Sequence, residues 1–213
     1  MSGQKKKSSS EQVLKVVPVF NEDSAYYYLA GQLAFGPRVP NTEGHKACGD
    51  YLVEKMRSFG GTVTEQPMQL KAFDGSLLDA RNIIVSFHPE KTRRILLFAH
   101  WDTRPWADED PDPQNHNKAI PGANDGASGV AVLMELARHL GTTTSTSLGV
   151  DIILFDAEDY GQPSWFDGIG VEDSWCLGSQ YWAKNPHVSN YSAEYGILLD
   201  MVGAKNAVFA KEY

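Results

Sequence analysis

A chain of 213 residues, 42% hydrophobic and 22% charged, is long enough to bury one large core, and a single domain is the default expectation. Its net charge of −8 argues against nucleic acid or an anionic membrane surface as partner, and no apolar run reaches the length of a membrane-spanning helix. Cys48 and Cys176 form no CxxC and fit a buried pair, a lone bridge or free thiols equally, so they do not fix the redox compartment.

Residues 1–22 are expected to form a disordered or extended tail. Its first ten, MSGQKKKSSS, are polar and basic without the apolar stretch of a signal peptide. They also look like what is left when an export leader is trimmed and a start Met added. That reading predicts a periplasmic or cell-envelope protein, with the cytoplasm as the alternative. A helix is predicted over 24–35, started by Asp23 or Ser24 and stopped by Gly36-Pro37. A second covers 43–58, with Ala47, Tyr51, Leu52 and Met56 at helical spacing and Gly60-Gly61 after it. Strands over 62–70 and 81–87 follow, joined around Asp74-Gly75.

Beyond residue 90 the pattern changes. Residues 94–99, 150–155 and 195–199 are short, nearly continuous apolar runs, which suit parallel strands buried on both faces. Helices over 128–140 (Val130, Leu133, Met134, Ala137 and Leu140 on one face) and 178–185 separate them. The alternation predicts one α/β domain over 23–213, a three-layer α-β-α arrangement with a mostly parallel central sheet. In such a sheet the ligand crevice lies outside the carboxyl ends of the strands.

Those ends carry the chemistry. The first run leads into His100-Trp101-Asp102, the second into Asp156-Ala157-Glu158-Asp159, and the third into Asp200. One polar ending is ordinary loop composition or helix capping. Three on adjacent parallel strands crowd carboxylates into one crevice, which is costly unless a cation or a shared proton compensates. Residues 121–129, PGANDGASG, precede the 128–140 helix. Asn124, Asp125 and Ser128 are good caps there, yet Gly126 and Gly129 also allow close backbone approach, so Asp125 is read both as a cap and as a ligand. A mixed set of His, Asp and Glu suits Zn²⁺ better than Mg²⁺ or Ca²⁺. The pair Glu158-Asp159 lets one carboxylate ligate while its neighbour serves as general acid/base.

The motifs HWD, GANDGASG, DAED and LLDMVG together resemble the M28 zinc-peptidase family. With HWDTRPW (100–106), DPDP (110–113), NHNK (115–118) and DSWCLGS (173–179), the resemblance is closest to the bacterial glutaminyl-peptide cyclotransferases, or glutaminyl cyclases, of that superfamily. It covers about residues 24–213. It implies a zinc-exopeptidase-like fold, Asp125 and Asp159 as zinc ligands, and Glu158 as the general acid/base. In the two-metal peptidases His100 and Asp200 would hold a second zinc, bridged by Asp125. In the cyclases one zinc is kept, His100 and Asp102 support it from behind, and Asp200 belongs to the proton-transfer network. One zinc is favoured, with two as the alternative. Asp159 stands where the family often has Glu. The family's third ligand is a His toward the C-terminus, which would fall beyond Tyr213, so the C-terminal part of the fold is expected to be missing and the chain as given to bind zinc weakly and be inactive. His45, His88, His139 and His187 are read as surface or packing residues, and His116 is kept open.

The resemblance leaves two reactions and one non-enzyme reading. A cyclase closes the N-terminal Gln of a peptide or protein to pyroglutamate and releases ammonia; an aminopeptidase hydrolyses the first peptide bond. Ring closure calls for a dry, aromatic-walled pocket, for which Trp101, Trp106, Trp165 and Trp175, together with Phe166 and the loop 162–176, are the candidates; each Trp could equally be core. The stretch 108–112 is read as a solvated loop rather than a second metal site. A catalytically dead binding module on the same scaffold is the third reading, opposed by the retention of Glu158.

Overall fold

A computed structural model describes residues 17–144 and 146–209; the predicted tail over 1–16 lies outside the described residues. In chain order the elements are α1 (Glu22–Leu33), α2 (Glu43–Ser58), β1 (Thr62–Lys71), β2 (Leu77–Phe87), β3 (Arg94–His100), a 3-10 turn (Pro113–Asn115), α3 (Ala127–Thr142), β4 (Gly149–Phe155), α4 (Leu177–Lys184) and β5 (Gly196–Leu198).

Local chemistry sets most of the boundaries. Helix α1 starts two residues earlier than expected because the Asn21 side chain, not Asp23 or Ser24, accepts the Ser24 N–H at 2.9 Å. Thr42 caps α2 in the same way through the His45 N–H at 3.2 Å. Strand β2 begins four residues before the predicted start. Leu78 and Ala80 alternate inward there, and the turn after β1 pairs this stretch directly with β1.

The sheet order is β1-β2-β4-β3-β5. Strands β4, β3 and β5 are mutually parallel, whereas β2 runs antiparallel to both β4 and β1. Four of the five strands therefore point the same way. Register aligns His100 with Phe155 and Phe98 with Leu198, so His100, Asp156 and Asp200 leave the sheet at one edge.

Both faces are covered. Ile83, Val85, Leu97, Ala99, Ile152 and Leu154 pack under α1, α2 and α3. Ile84, Ile153 and Phe155 pack on the other face, toward Trp182 of α4. All seven residues of β4 are buried, as a two-sided strand requires, while β5 exposes its three residues at the sheet edge. Both cysteines are free thiols, Cys48 in the core and Cys176 at the start of α4. Among the described residues no helix is long and apolar enough to cross a membrane.

Candidate metal centre and cleft

His100, the last residue of β3, is buried, and its imidazole meets three carboxylates. Nε2 lies 2.8 Å from Asp125 Oδ1 and 3.6 Å from Asp200 Oδ1, and Nδ1 lies 3.5 Å from Asp102 Oδ1. One donor atom each from His100, Asp125 and Asp200 falls within 4.8 Å of the others. Asp159 stands outside that group of three.

The two readings of Asp125 separate here. Helix α3 is entered at Gly126 with no side-chain cap, so Asp125 is free to face His100. Asn124 instead accepts the Gly203 N–H at 2.8 Å, and Ser128 Oγ accepts the Val202 N–H at 3.1 Å, tying the loop after Asp200 to the start of α3. Gly126 has φ of 87°, and a Cβ there would sit 2.8 Å from the Asp102 carbonyl oxygen and 3.2 Å from His100 Cε1. Only glycine fits the turn that presents Asp125.

Asp102 and Asp156 aim the Glu158-Asp159 pair. Asp102 is fully buried and accepts the N–H groups of Glu158 at 3.0 Å and Asp159 at 3.1 Å. Asp156 accepts from Ala157 N–H and Arg81 N–H, and its two oxygens lie 2.9 Å from His45 Nε2. Ala157, between them, takes the left-handed conformation at φ of 53°, and that reversal turns the chain from β4 toward the crevice.

Burial, and after it crowded charge, governs the protonation equilibria. Burial pushes Glu158 up to about 7, and Asp102, Asp200 and Asp125 add to the shift while His100 opposes it. Asp159 rises to about 7, mainly through burial and then through Asp102, Asp125 and Glu158. Burial disfavours charge on His100, yet Asp102, Asp125 and Asp200 hold its pKa well above the ordinary value. The His100 hydrogen bond holds Asp200 low. Asp159 Oδ2 and His100 Nδ1 are buried without a hydrogen-bond partner. The unsatisfied Asp159 Oδ2 in an electronegative pocket fits a cation, and the nitrogen–oxygen donors of the neighbouring His100, Asp125 and Asp200 group fit zinc.

A cleft of about 600 Å³ opens beside this centre, lined by Arg104, Trp106, Asp108, Ile120, Asp125 and Trp175 among others. Trp106 packs edge-on against Phe73 and Tyr160, and the Arg104 guanidinium lies 4.6 Å over the Trp175 ring. Two of the four expected pocket tryptophans thus line the cleft. Trp101 does not and is a correction: it is fully buried in the main core, stacked on His45 at 4.3 Å with its Nε1–H donated to the Arg81 carbonyl. Trp165 stacks on His116 at 5.4 Å and does not line the cleft. His116 is thereby accounted for, with Nε2 2.8 Å from the Asp110 carbonyl oxygen. His45 is a buried partner of Asp156, His139 pairs with Glu135 at 3.1 Å, and His187 accepts from Trp182 Nε1. The 108–112 stretch is less solvated than expected, because Asp108 is buried against Arg104 and accepts the Ser164 N–H.

Arg104 and Arg38 were not singled out by sequence. Arg104 grips Asp108 with both guanidinium ends and donates to the carbonyls of Asp159, Gly161 and Gln162, bracing the segment behind Asp159. Arg38 is fully buried next to the Asp102 and Asp125 loops. A basic side chain reads as surface by composition, and its burial depends on carbonyls contributed by distant loops.

The pattern of Peptidase family M28 matches residues 82–213. A Zn-dependent exopeptidase from Parabacteroides distasonis superposes with a TM-score of 0.89 at 60% identity, over 91% of this chain and 66% of that one. A glutaminyl cyclase from Bacteroides thetaiotaomicron, bound to N-acetylhistamine, superposes with a TM-score of 0.91 at 58% identity, over 93% of this chain and 68% of that one. The glutaminyl-peptide cyclotransferase of Gloydius blomhoffii is 27% identical over 191 residues, which cover 81% of this chain and 50% of that protein. The chain therefore spans about half the length of that curated relative and about two-thirds of the two solved chains.

Proposed function

The chain belongs to peptidase family M28, and from that premise we propose that it is the larger part of a zinc-dependent glutaminyl-peptide cyclotransferase acting on peptides or proteins with N-terminal Gln. The observation that carries the reading is the 2.8 Å separation of His100 Nε2 and Asp125 Oδ1. The pair is hydrogen-bonded, as the single-zinc arrangement would have it, with His100, backed by Asp102, supporting Asp125 from behind. Asp125 and Asp159 would hold that zinc, with Asp159 Oδ2 unpartnered in the structure.

Zinc so held would act as a Lewis acid on the side-chain amide oxygen of the Gln. Glu158, whose pKa lies near 7, takes a proton from the α-amine as that nitrogen attacks the side-chain amide carbon. The carbon–nitrogen bond to the amide NH₂ then breaks, Glu158 returns the proton to it, and ammonia leaves with no water consumed. Asp102 holds Glu158 in place through its backbone N–H, and Asp200, tied to His100, supports proton movement beside it. Trp106 and Trp175 wall the cleft and keep the ring-closing geometry dry.

Aminopeptidase activity is the second reading, favoured by the grouping of His100, Asp125 and Asp200 donors within 4.8 Å, the set a second zinc would use. The test is the full-length protein with zinc, assayed on Gln-peptides and on aminoacyl-anilides, with metal counting. Ammonia release without peptide cleavage and one zinc per chain are expected. Anilide cleavage without cyclisation, with two zinc ions, would replace this reading by the second.

A further inference from the structure

We propose that Arg38 is a positioning residue for the metal centre, its guanidinium clamping the loop that carries Asp102 to the loop that carries Asp125. The inference rests on the reading of Asp125 as a metal ligand and goes beyond it, since Arg38 touches no donor atom itself.

Arg38 follows α1 and is fully exchanged from water into the protein, with no exposed surface. Its Nε donates to the Trp101 carbonyl at 3.4 Å, Nη2 to the Gly122 carbonyl at 2.8 Å, and Nη1 to the Pro121 carbonyl. Its own carbonyl accepts the Thr103 N–H at 3.2 Å. The side chain thus fastens Trp101 on one flank of the crevice to 121–122 on the other, and the Arg38 backbone adds the bond to Thr103. None of these partners is a carboxylate. A buried guanidinium ordinarily needs one, because removing its charge from water is expensive. Here the negative charges near enough to act on it include Asp102 and Asp125, which lie on the loops it fastens. The cation is placed behind the acidic cluster rather than inside it, leaving the carboxylate oxygens free to face His100 and the crevice.

The clamp has little slack. A Cβ on Gly122 would stand 2.2 Å from Thr103 Cγ2 and 3.0 Å from Arg38 Nη2. Because the guanidinium fork spans three carbonyls in a fixed plane, a lysine ammonium keeps the charge but not the geometry. If Arg38 only filled space or balanced charge, lysine would suffice.

The test is Co²⁺ titration of the full-length protein, with zinc competition, for the parent, Arg38→Lys and Arg38→Met. Metal-free thermal midpoints serve as the check of folding. Loss of a group that orients a ligand costs 10–100-fold in metal affinity as an order of magnitude. We expect a loss of about that size in both variants, with a changed Co²⁺ visible spectrum. In a protein already carrying Asp125→Asn, Arg38→Lys should cause no further loss. Variants that fold and bind Co²⁺ with the parent's affinity and spectrum overturn the inference and leave the metal-centre reading intact. A parent that binds no metal overturns both. Should neither variant fold, the Arg38 Nε–H resonance of the parent decides: a shift on zinc addition supports the clamp, and an unmoved resonance overturns it.

Discussion

Strands β3 and β4 carry buried charge at both ends, and the two ends are built differently. At the amino end Arg94 holds both oxygens of Asp151 at 2.6 Å, Ser86 Oγ donates to Asp151 at 2.6 Å, and Tyr191 OH donates at 2.9 Å. The remaining Arg94 donors reach the carbonyls of Phe87, His88, Lys91 and Val150. At the carboxyl end Glu158 and Asp159 face other carboxylates, and two polar atoms, Asp159 Oδ2 and His100 Nδ1, have no partner. The protonation equilibria follow suit. Burial pushes Asp151 upward, but Arg94, Ser86 and Tyr191 outweigh it and hold the carboxyl low, whereas Glu158 and Asp159 both rise to about 7. A structural ion pair satisfies its hydrogen bonds internally. A site built for a cation and a substrate leaves some of them open.

The largest expected effect lies at the open end. Glu158→Gln removes the proton acceptor while leaving Asp159, Asp125 and their supports in place. Turnover of Gln-peptides by the zinc-loaded protein should fall by about 10²–10⁴-fold, the range for loss of a general base. Zinc content and thermal midpoint should stay at parental values, because the variant also relieves repulsion among carboxylates. An active variant would take the acid/base role from Glu158.

The closed end should respond in the opposite sense. Arg94→Met strands Asp151, which is 1% exposed, without its main partner, and breaking such a pair costs about 3–5 kcal/mol. Chemical denaturation should register that loss, while kcat of the protein that remains folded is unchanged. The pH dependence has a definite sign. Because Asp151 is held below its unfolded value of about 3.9, the pair's contribution is complete above roughly pH 4 and is lost as pH falls through the lower folded value. The parent should therefore lose its advantage over the variant in acid. An advantage independent of pH would mean that packing, not charge, holds this end.

The difference between the two ends also marks what sequence could disclose. The bounds of α2 and β4 were legible because a 3.6-residue period and a continuous apolar run are local signals. The strand-end residues His100, Asp102, Glu158, Asp159 and Asp200 stood out for the same reason, each following an abrupt change from apolar to charged. Trp101 was misplaced because its two neighbours line the crevice while alternation along an extended chain sends it to the opposite side, under His45. Asp125 could be a cap or a ligand until Gly126 was seen to enter α3 with no side-chain cap. Arg38 and Arg104 carried no local signal: the carbonyls they grip come from loops tens of residues away, and the Arg104–Asp108 pair, four residues apart, lies outside any helix or strand.

Arg104 offers the finest cut, because it is closed in the manner of Arg94 yet sits at the open end. Its guanidinium is occupied by Asp108 and by the carbonyls of Asp159, Gly161 and Gln162, and it lies over Trp175. With its donors taken up in this way, it shapes the cleft wall rather than binding substrate charge. Arg104→Lys keeps the cation but loses the fork and most of the stacking, a loss of about 1 kcal/mol at a partly buried ring. A wall loosened by that amount weakens substrate binding about fivefold, since 1.4 kcal/mol is a factor of ten. The increase should therefore appear in KM for Gln-peptides, with kcat nearly constant, because Glu158 and its Asp102 support are untouched. A fall in kcat at constant KM would instead mean that the Arg104 bond to the Asp159 carbonyl governs the catalytic pair itself, and the closed network would then belong to the reacting centre rather than to its rim.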